Sequence, residues 1–189
     1  HYLPELGAHF FPSLSELRDP INRTEWGRTM LGGFAEPRTF TLRALRRYRS
    51  LNGEAGFDII HDNQCIGIGL LELQRLVPLA TTIHHPITRD FRVALDAVPQ
   101  WNLYRRFNLW RWFNSFLPMQ VEVARGLERV LTISHASTRD IIADFGIESS
   151  RCRMVSNGIN LEVFQPKPEI AREPDRLITT LSADVPLKG

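Results

Sequence analysis

Leu79-Ala80-Thr81-Thr82-Ile83-His84-His85 decides the architecture: a short apolar and β-branched run that stops on two histidines. A run of this length and composition is a strand buried on both faces, closed by a polar carboxyl end. The same design recurs on either side. Upstream, Phe57-Asp58-Ile59-Ile60-His61-Asp62 reads as a buried strand ending in His61-Asp62-Asn63-Gln64. Downstream, Arg129-Val130-Leu131-Thr132-Ile133-Ser134 gives a third strand and Cys152-Arg153-Met154-Val155-Ser156-Asn157 a fourth. Helical spacing fills the intervals. Gly67 to Leu76 follows the first strand. Beyond Ser134, Ser137-Thr138-Arg139-Asp140 has capping-box spacing, Ile141, Ile142 and Phe145 share a face, and Gly146 stops the helix. Strands alternating with helices predict an α/β fold, a Rossmann-like parallel sheet flanked by helices.

In open parallel sheets ligands sit outside the carboxyl ends of the strands. Those ends carry His61, Asp62, Asn63 and Gln64, then His84 and His85, then Ser134 with His135, then Asn157 with Gly158. Any one of them reads equally well as a surface turn. As a set they are unusual, because turns favour Gly, Asn, Asp and Ser over His.

Bulk properties narrow the class. The chain has 189 residues, 43% hydrophobic and 23% charged, enough for one domain with a core. No apolar stretch approaches the ~18 residues of a membrane span, and no signal-peptide pattern opens the chain. Cys65 and Cys152 match neither a disulfide framework nor a zinc spacing, which favours a reducing, cytoplasmic setting with two buried thiols. The net charge of +2 gives no argument for nucleic acid. Before Phe57 the pattern is weaker: Phe40 to Leu51 suits a basic amphipathic helix, and a helix is expected around Ile21 to Leu31. Pro166, Pro168 and Pro174 mark 165–175 as a linker, after which 176–182 starts a new strand. The missing initiator Met and the ending on Lys188-Gly189 lead us to expect a fragment at both ends.

Three chemistries compete at the motifs. Gly67-Ile68-Gly69, with Asp90 about 20 residues on, imitates part of a dinucleotide fingerprint. Its third glycine is missing and Asp90 lies beyond the next strand's end, so close packing is the preferred reason for the glycines. A metal held by His61, Asp62, His84 and His85 is disfavoured, since adjacent strand residues point to opposite sides. No metal or cofactor is expected. A serine hydrolase lacks its Gly-x-Ser-x-Gly elbow. The segment 101–116 mixes Trp101, Tyr104, Phe107, Trp110, Trp112, Phe113 and Phe116 with Arg105, Arg106 and Arg111. It suits peripheral contact with the inner membrane surface, stacking on sugars or bases, or a buried stripe of Trp110, Phe113 and Phe116. The Arg43, Arg46, Arg47, Arg49 face could add electrostatic pull.

Taken in order, Phe57 to His61, Thr82-Ile83-His84-His85-Pro86, Val130 to Ser134 with its helix, and Val155-Ser156-Asn157-Gly158-Ile159-Asn160 with Phe164 and Pro166 resemble family 4 glycosyltransferases. Thr179 to Gly189 is similar to the first strand and phosphate loop of that family's second domain. The resemblance implies the N-terminal half of the two-domain GT-B architecture, truncated. It places the acceptor-side domain at 1–164, without its first strand, and the start of a donor-binding domain at 176–189. It implies transfer from a nucleotide-diphosphate sugar, with retention of configuration, to a glycan or lipid-linked acceptor. His84, or His85 if the register slips by one, would face the donor sugar as the catalytic residue. Lys188 with Gly189 would bind the donor phosphate, and His61 to Gln64, Ser134, Asn157 and Gly158 would line the cleft. The fragment alone is expected to be inactive. The arginine that usually accompanies the lysine falls at Ala183, which keeps open a non-catalytic glycan- or membrane-binding module. An epimerase or phosphorylase on the same scaffold is the third reading.

Overall fold

A computed structural model of the chain describes residues 11–51, 56–169, 171 and 174–176. Two helices come first, α1 (Pro20–Met30) and α2 (Glu36–Ser50). Then follow β1 (Ile60–Asn63), α3 (Leu70–Leu76), β2 (Leu79–Ile83), α4 (Ile87–Asp96), α5 (Leu103–Asn114), α6 (Leu117–Gly126), β3 (Val130–Thr132), α7 (His135–Phe145) and β4 (Cys152–Met154). The strands form one parallel sheet in the order β1-β2-β3-β4. Register aligns Asn63 with Thr82, Thr82 with Leu131, and Leu131 with Arg153, so all four carboxyl ends open on one edge. The expected α/β class and parallel sheet are both present.

The core is an aliphatic cluster built from Ile66, Leu70 and Leu73 around α3, Leu79 and Ile83 of β2, Val123 and Ala124 of α6, and Ile141 and Phe145 of α7. Burial of such side chains stabilises the fold by about 1.5–3 kcal/mol each. A second, aromatic cluster joins Phe113, Phe116 and Leu117 to Phe34 and Phe91.

Several expectations are corrected. Phe57 to Asp62 is not a buried strand: pairing starts at Ile60, and Phe57 and Ile59 are exposed beside the edge strand β1. The first helix after it starts at Leu70, because Gly67 to Gly69 form a turn. The cap of α7 is Ser134, whose Oγ accepts from the Ser137 amide at 3.1 Å, so Ser137-Thr138-Arg139-Asp140 lies within the helix. Gly146 does stop it, in the left-handed region at φ 68°. The connection from β2 to β3 is three helices long, α4, α5 and α6. Trp110 is not part of a buried stripe, whereas Phe113 and Phe116 are. Of the arginines on α2, Arg43 pairs with Glu25 at 2.5 Å, Arg46 with Asp19 and Arg49 with Glu72, while Arg47 is exposed with no ion pair among the described residues. The strand expected at 176–182, and Ala183, Lys188 and Gly189, lie outside the described residues, apart from Arg176.

Candidate functional site at the carboxyl edge of the sheet

The ends of β1 and β2 are tied together by side chains. His84, the residue after the last core position of β2, places Nε2 2.8 Å from Asn63 Oδ1. Because that oxygen only accepts, Nε2 carries the proton. The His84 backbone N–H donates to Gln64 Oε1 at 2.8 Å, and Gln64 Nε2 lies 3.5 Å from the His85 carbonyl. His85 points the other way, with its Nε2 2.9 Å from Asp90 Oδ2 on α4. His61 Nε2 lies 2.8 Å from Thr82 Oγ1. The three imidazoles thus face separate partners and do not converge on one ion.

The turn after β1 is strained. Gln64 and Ile66 both have positive φ, 62° and 49°, a region that costs a β-branched residue about 1–3 kcal/mol. Three contacts hold it: the Ile66 N–H donates to Asp62 Oδ2 at 3.3 Å, Gln120 Nε2 donates to the Cys65 carbonyl at 3.1 Å, and Ile66 is fully buried. Strain maintained beside a strand end is characteristic of a built site. No residue-type pattern in the sequence announces it.

Beside this turn opens a pocket of about 440 Å³. Its walls are the rings of Phe34, Phe40, Trp112, Phe113 and Phe116, and its polar groups are Gln64, Glu36, Asp90 and Gln120. Asp90 Oδ1 and Gln120 Oε1 are buried with no hydrogen-bond partner among the described residues. The bond to the Cys65 carbonyl fixes the Gln120 amide, so its oxygen is the free end. Two orphaned acceptors in an aromatic pocket match a ligand that supplies hydroxyls on an otherwise apolar face. Asp90 entered the sequence reading only as a candidate ribose acid, and Gln120 not at all.

Burial pushes the Asp62 carboxyl up from its ordinary value, against the opposing amides of Ile66 and Cys65 and the charge of His61. A raised folded pKa means that the native state holds its proton longer than the unfolded chain does. The stability linked to that proton is present below the unfolded value near 3.8 and lost as pH rises through the folded one. Asp62→Asn keeps an acceptor for Ile66 and removes the ionisation. We expect the variant to melt above the parent at neutral pH, with the gap closing toward pH 4. Melting curves at both pH values check this, and a gap that widens in acid would contradict it. The Cys65 thiol is pushed up to about 12 by burial and by the charges of Asp62 and Glu36, so it is no nucleophile.

The other sequence candidates stand apart. The Ser134 hydroxyl is engaged as the α7 cap, accepting from the Ser137 amide and donating to the Ser137 hydroxyl. Asn157 and Gly158 are exposed in the irregular segment beyond β4, on the same edge of the sheet.

Gly67 and Gly69 are explained by packing. A Cβ on Gly67 would lie 1.8 Å from the Pro37 carbonyl oxygen, and one on Gly69 2.3 Å from that of Thr41. Helix α2 therefore occupies the space a pyrophosphate would need.

The chain is 42% identical over 179 residues to the MMP alpha-(1->4)-mannosyltransferase of Mycolicibacterium hassiacum, an alignment covering 94% of this chain and 42% of that protein's length. The family model described as Glycosyltransferase Family 4 matches residues 10–163. On that match, which spans most of its length, the chain belongs to glycosyltransferase family 4.

Proposed function

We propose that the full-length protein transfers a hexosyl group, with mannose the first candidate, from a nucleotide-diphosphate sugar to a hydroxyl of a glycan or lipid-linked acceptor. Configuration at the anomeric carbon is retained, and the 189-residue chain alone is inactive. The observation that carries this reading is the His84–Asn63–Gln64 cluster at the carboxyl edge of a parallel sheet, beside a pocket whose unpaired acceptors call for hydroxyl donors. The mannosyl candidate rests on the 42% identical mannosyltransferase.

In the reaction the bond from the sugar's anomeric carbon to the diphosphate oxygen breaks, and a bond from that carbon to the acceptor oxygen forms. The acceptor's proton leaves with the diphosphate. Asn63 Oδ1 takes the Nε2 proton of His84 and Gln64 holds its backbone, so the ring turns its unprotonated Nδ1 to accept from a hydroxyl of the transferring sugar. The acceptor sugar lays its apolar face on Trp112 and Phe34 and gives hydroxyls to Asp90 and Gln120. Lys188 and Gly189, matched by sequence to the family's phosphate loop, receive the diphosphate charge. His61, Ser134, Asn157 and Gly158 border the cleft, and no cofactor takes part.

Donor and acceptor are incubated with the full-length protein and the product is read by NMR. We expect one nucleoside diphosphate released per new glycoside, with the donor's anomeric configuration preserved. An inverted product would remove the retaining assignment, and diphosphate release without a glycoside would remove transfer itself.

A further inference from the structure

The face of α5 turned away from the aromatic cluster is uncovered among the described residues. Trp101, Leu103 and Tyr104 are 80%, 73% and 80% exposed, and Phe107 and Trp110 keep more than half of their surface, 54% and 53%. From Ala97 to Val121 the chain contains no acidic residue, whereas Arg105, Arg106 and Arg111 lie within it. The guanidinium of Arg106 is turned inward onto the carbonyls of Leu95 and Val98.

Beside this helix the α1–α2 turn is clamped against the end of α5. Arg28 Nη1 donates to the Ser115 carbonyl at 2.8 Å, and the Phe34 N–H to Ser115 Oγ at 2.7 Å. Gly32, at φ 70°, lets the Arg111 guanidinium cross the turn: a Cβ there would lie 2.4 Å from Nη2. Asn108 Oδ1 holds the same group at 3.0 Å. Arg28, Arg38 and Arg111 therefore line one open pocket of about 720 Å³, with Leu31, Trp110 and Met119 as its apolar wall. None of the three arginines has a carboxylate partner among the described residues, and no acid lines the pocket. Arg43, Arg46 and Arg49 of α2 are each paired with a carboxylate of α1, α3 or the α1 cap, so Arg28, Arg38 and Arg111 stand out as positive charge left for an outside anion.

We propose that this face docks on an anionic lipid leaflet, with a lipid phosphate in the Arg28–Arg38–Arg111 pocket and the exposed aromatic side chains of α5 at headgroup depth. Guanidinium groups match phosphate oxygens, and indole and phenol rings favour the boundary between water and acyl chains. A second copy of this chain is a poor occupant, because a two-fold contact sets arginine against arginine with no acid to meet it. No described helix is long and apolar enough to cross a membrane, so the contact lies in the interface plane. The proposal is independent of the glycosyl-transfer reading.

The test is co-sedimentation of the full-length protein with phosphatidylglycerol vesicles and with pure phosphatidylcholine vesicles. Binding to the first should exceed binding to the second and fall with added salt. Arg38→Gln, whose side chain makes no hydrogen bond or ion pair among the described residues, should weaken anionic binding about fivefold while melting as the parent does. Tyr104→Ser with Trp110→Ser should weaken it by about tenfold or more. Transfer measured without vesicles should be unchanged in Arg38→Gln. Equal binding to both vesicle types overturns the proposal. So does failure to bind accompanied by concentration-dependent growth in mass by light scattering, which would assign the face to a protein partner.

Discussion

His84→Ala in the full-length protein is expected to lower kcat by about two to three orders of magnitude with a small change in KM, the loss typical of removing one positioned hydrogen-bonding group at the reacting centre. The geometry favours His84 over its neighbour. Its Nε2 proton is oriented by Asn63 and its backbone by Gln64, both on the adjoining strand end, so the imidazole is held at the carboxyl edge of the sheet. His85 is turned onto Asp90 of α4 and is exposed. His85→Ala should therefore cost less in kcat and act mainly on KM, by freeing Asp90 beside the acceptor pocket. Steady-state kinetics on both variants, with melting curves to confirm folding, check the assignment. A large kcat loss in His85→Ala with His84→Ala near the parent rate would mean that the register is shifted by one and His85 faces the sugar. Neither variant losing rate would remove the strand-end histidines from the chemistry.

The residues most legible in the sequence were those whose role is set by position along a strand. An apolar run that stops on His84, or on His61-Asp62-Asn63-Gln64, marks a carboxyl end wherever the strand sits in the sheet and whatever its neighbours. What a strand pairs with is a long-range property. Phe57 and Ile59 read as buried because their side chains are apolar, yet they flank an edge strand. The capping serine of α7 was displaced by three residues because Ser134 and Ser137 offer the same side chain, and only the amide geometry distinguishes them. On α5 apolar residues lie nearly all round the helix, so spacing could not tell the buried Phe113 from the exposed Trp110. The acceptor pocket was illegible for a further reason. Gln120 comes from α6, Asp90 from α4 and Gln64 from the turn after β1, and their meeting depends on a three-helix connection and on a left-handed Ile66.

Gly67→Ala is the substitution expected to damage the fold most. The methyl group would stand 1.8 Å from the Pro37 carbonyl oxygen and 2.2 Å from Thr41 Oγ1, which are backbone and buried side-chain atoms with no room to yield. Thr41 is 1% exposed and relays one bond to another: the Gly69 N–H donates to its Oγ1 at 3.2 Å, and that hydroxyl donates to the Pro37 carbonyl at 2.9 Å. Relieving the clash means moving α2 outward, which breaks this relay and strips Leu45 from the core. Overpacking together with buried groups left unpaired costs about 3 kcal/mol or more, a large part of the roughly 5–15 kcal/mol that holds a domain folded. Gly27→Ala is the matched control, since a Cβ there meets nothing within 4 Å and alanine favours the interior of α1. Urea unfolding should show a strongly lowered midpoint for Gly67→Ala and an unchanged or raised one for Gly27→Ala; equal midpoints would refute the packing account of Gly67. The consequence reaches the site, because Pro37 and Phe40 of α2 wall the same pocket that Gln64 and Gln120 line. The glycine that resembles a nucleotide motif thus fixes the distance between α2 and the strained turn after β1, and a larger residue there would disturb the acceptor pocket together with the fold.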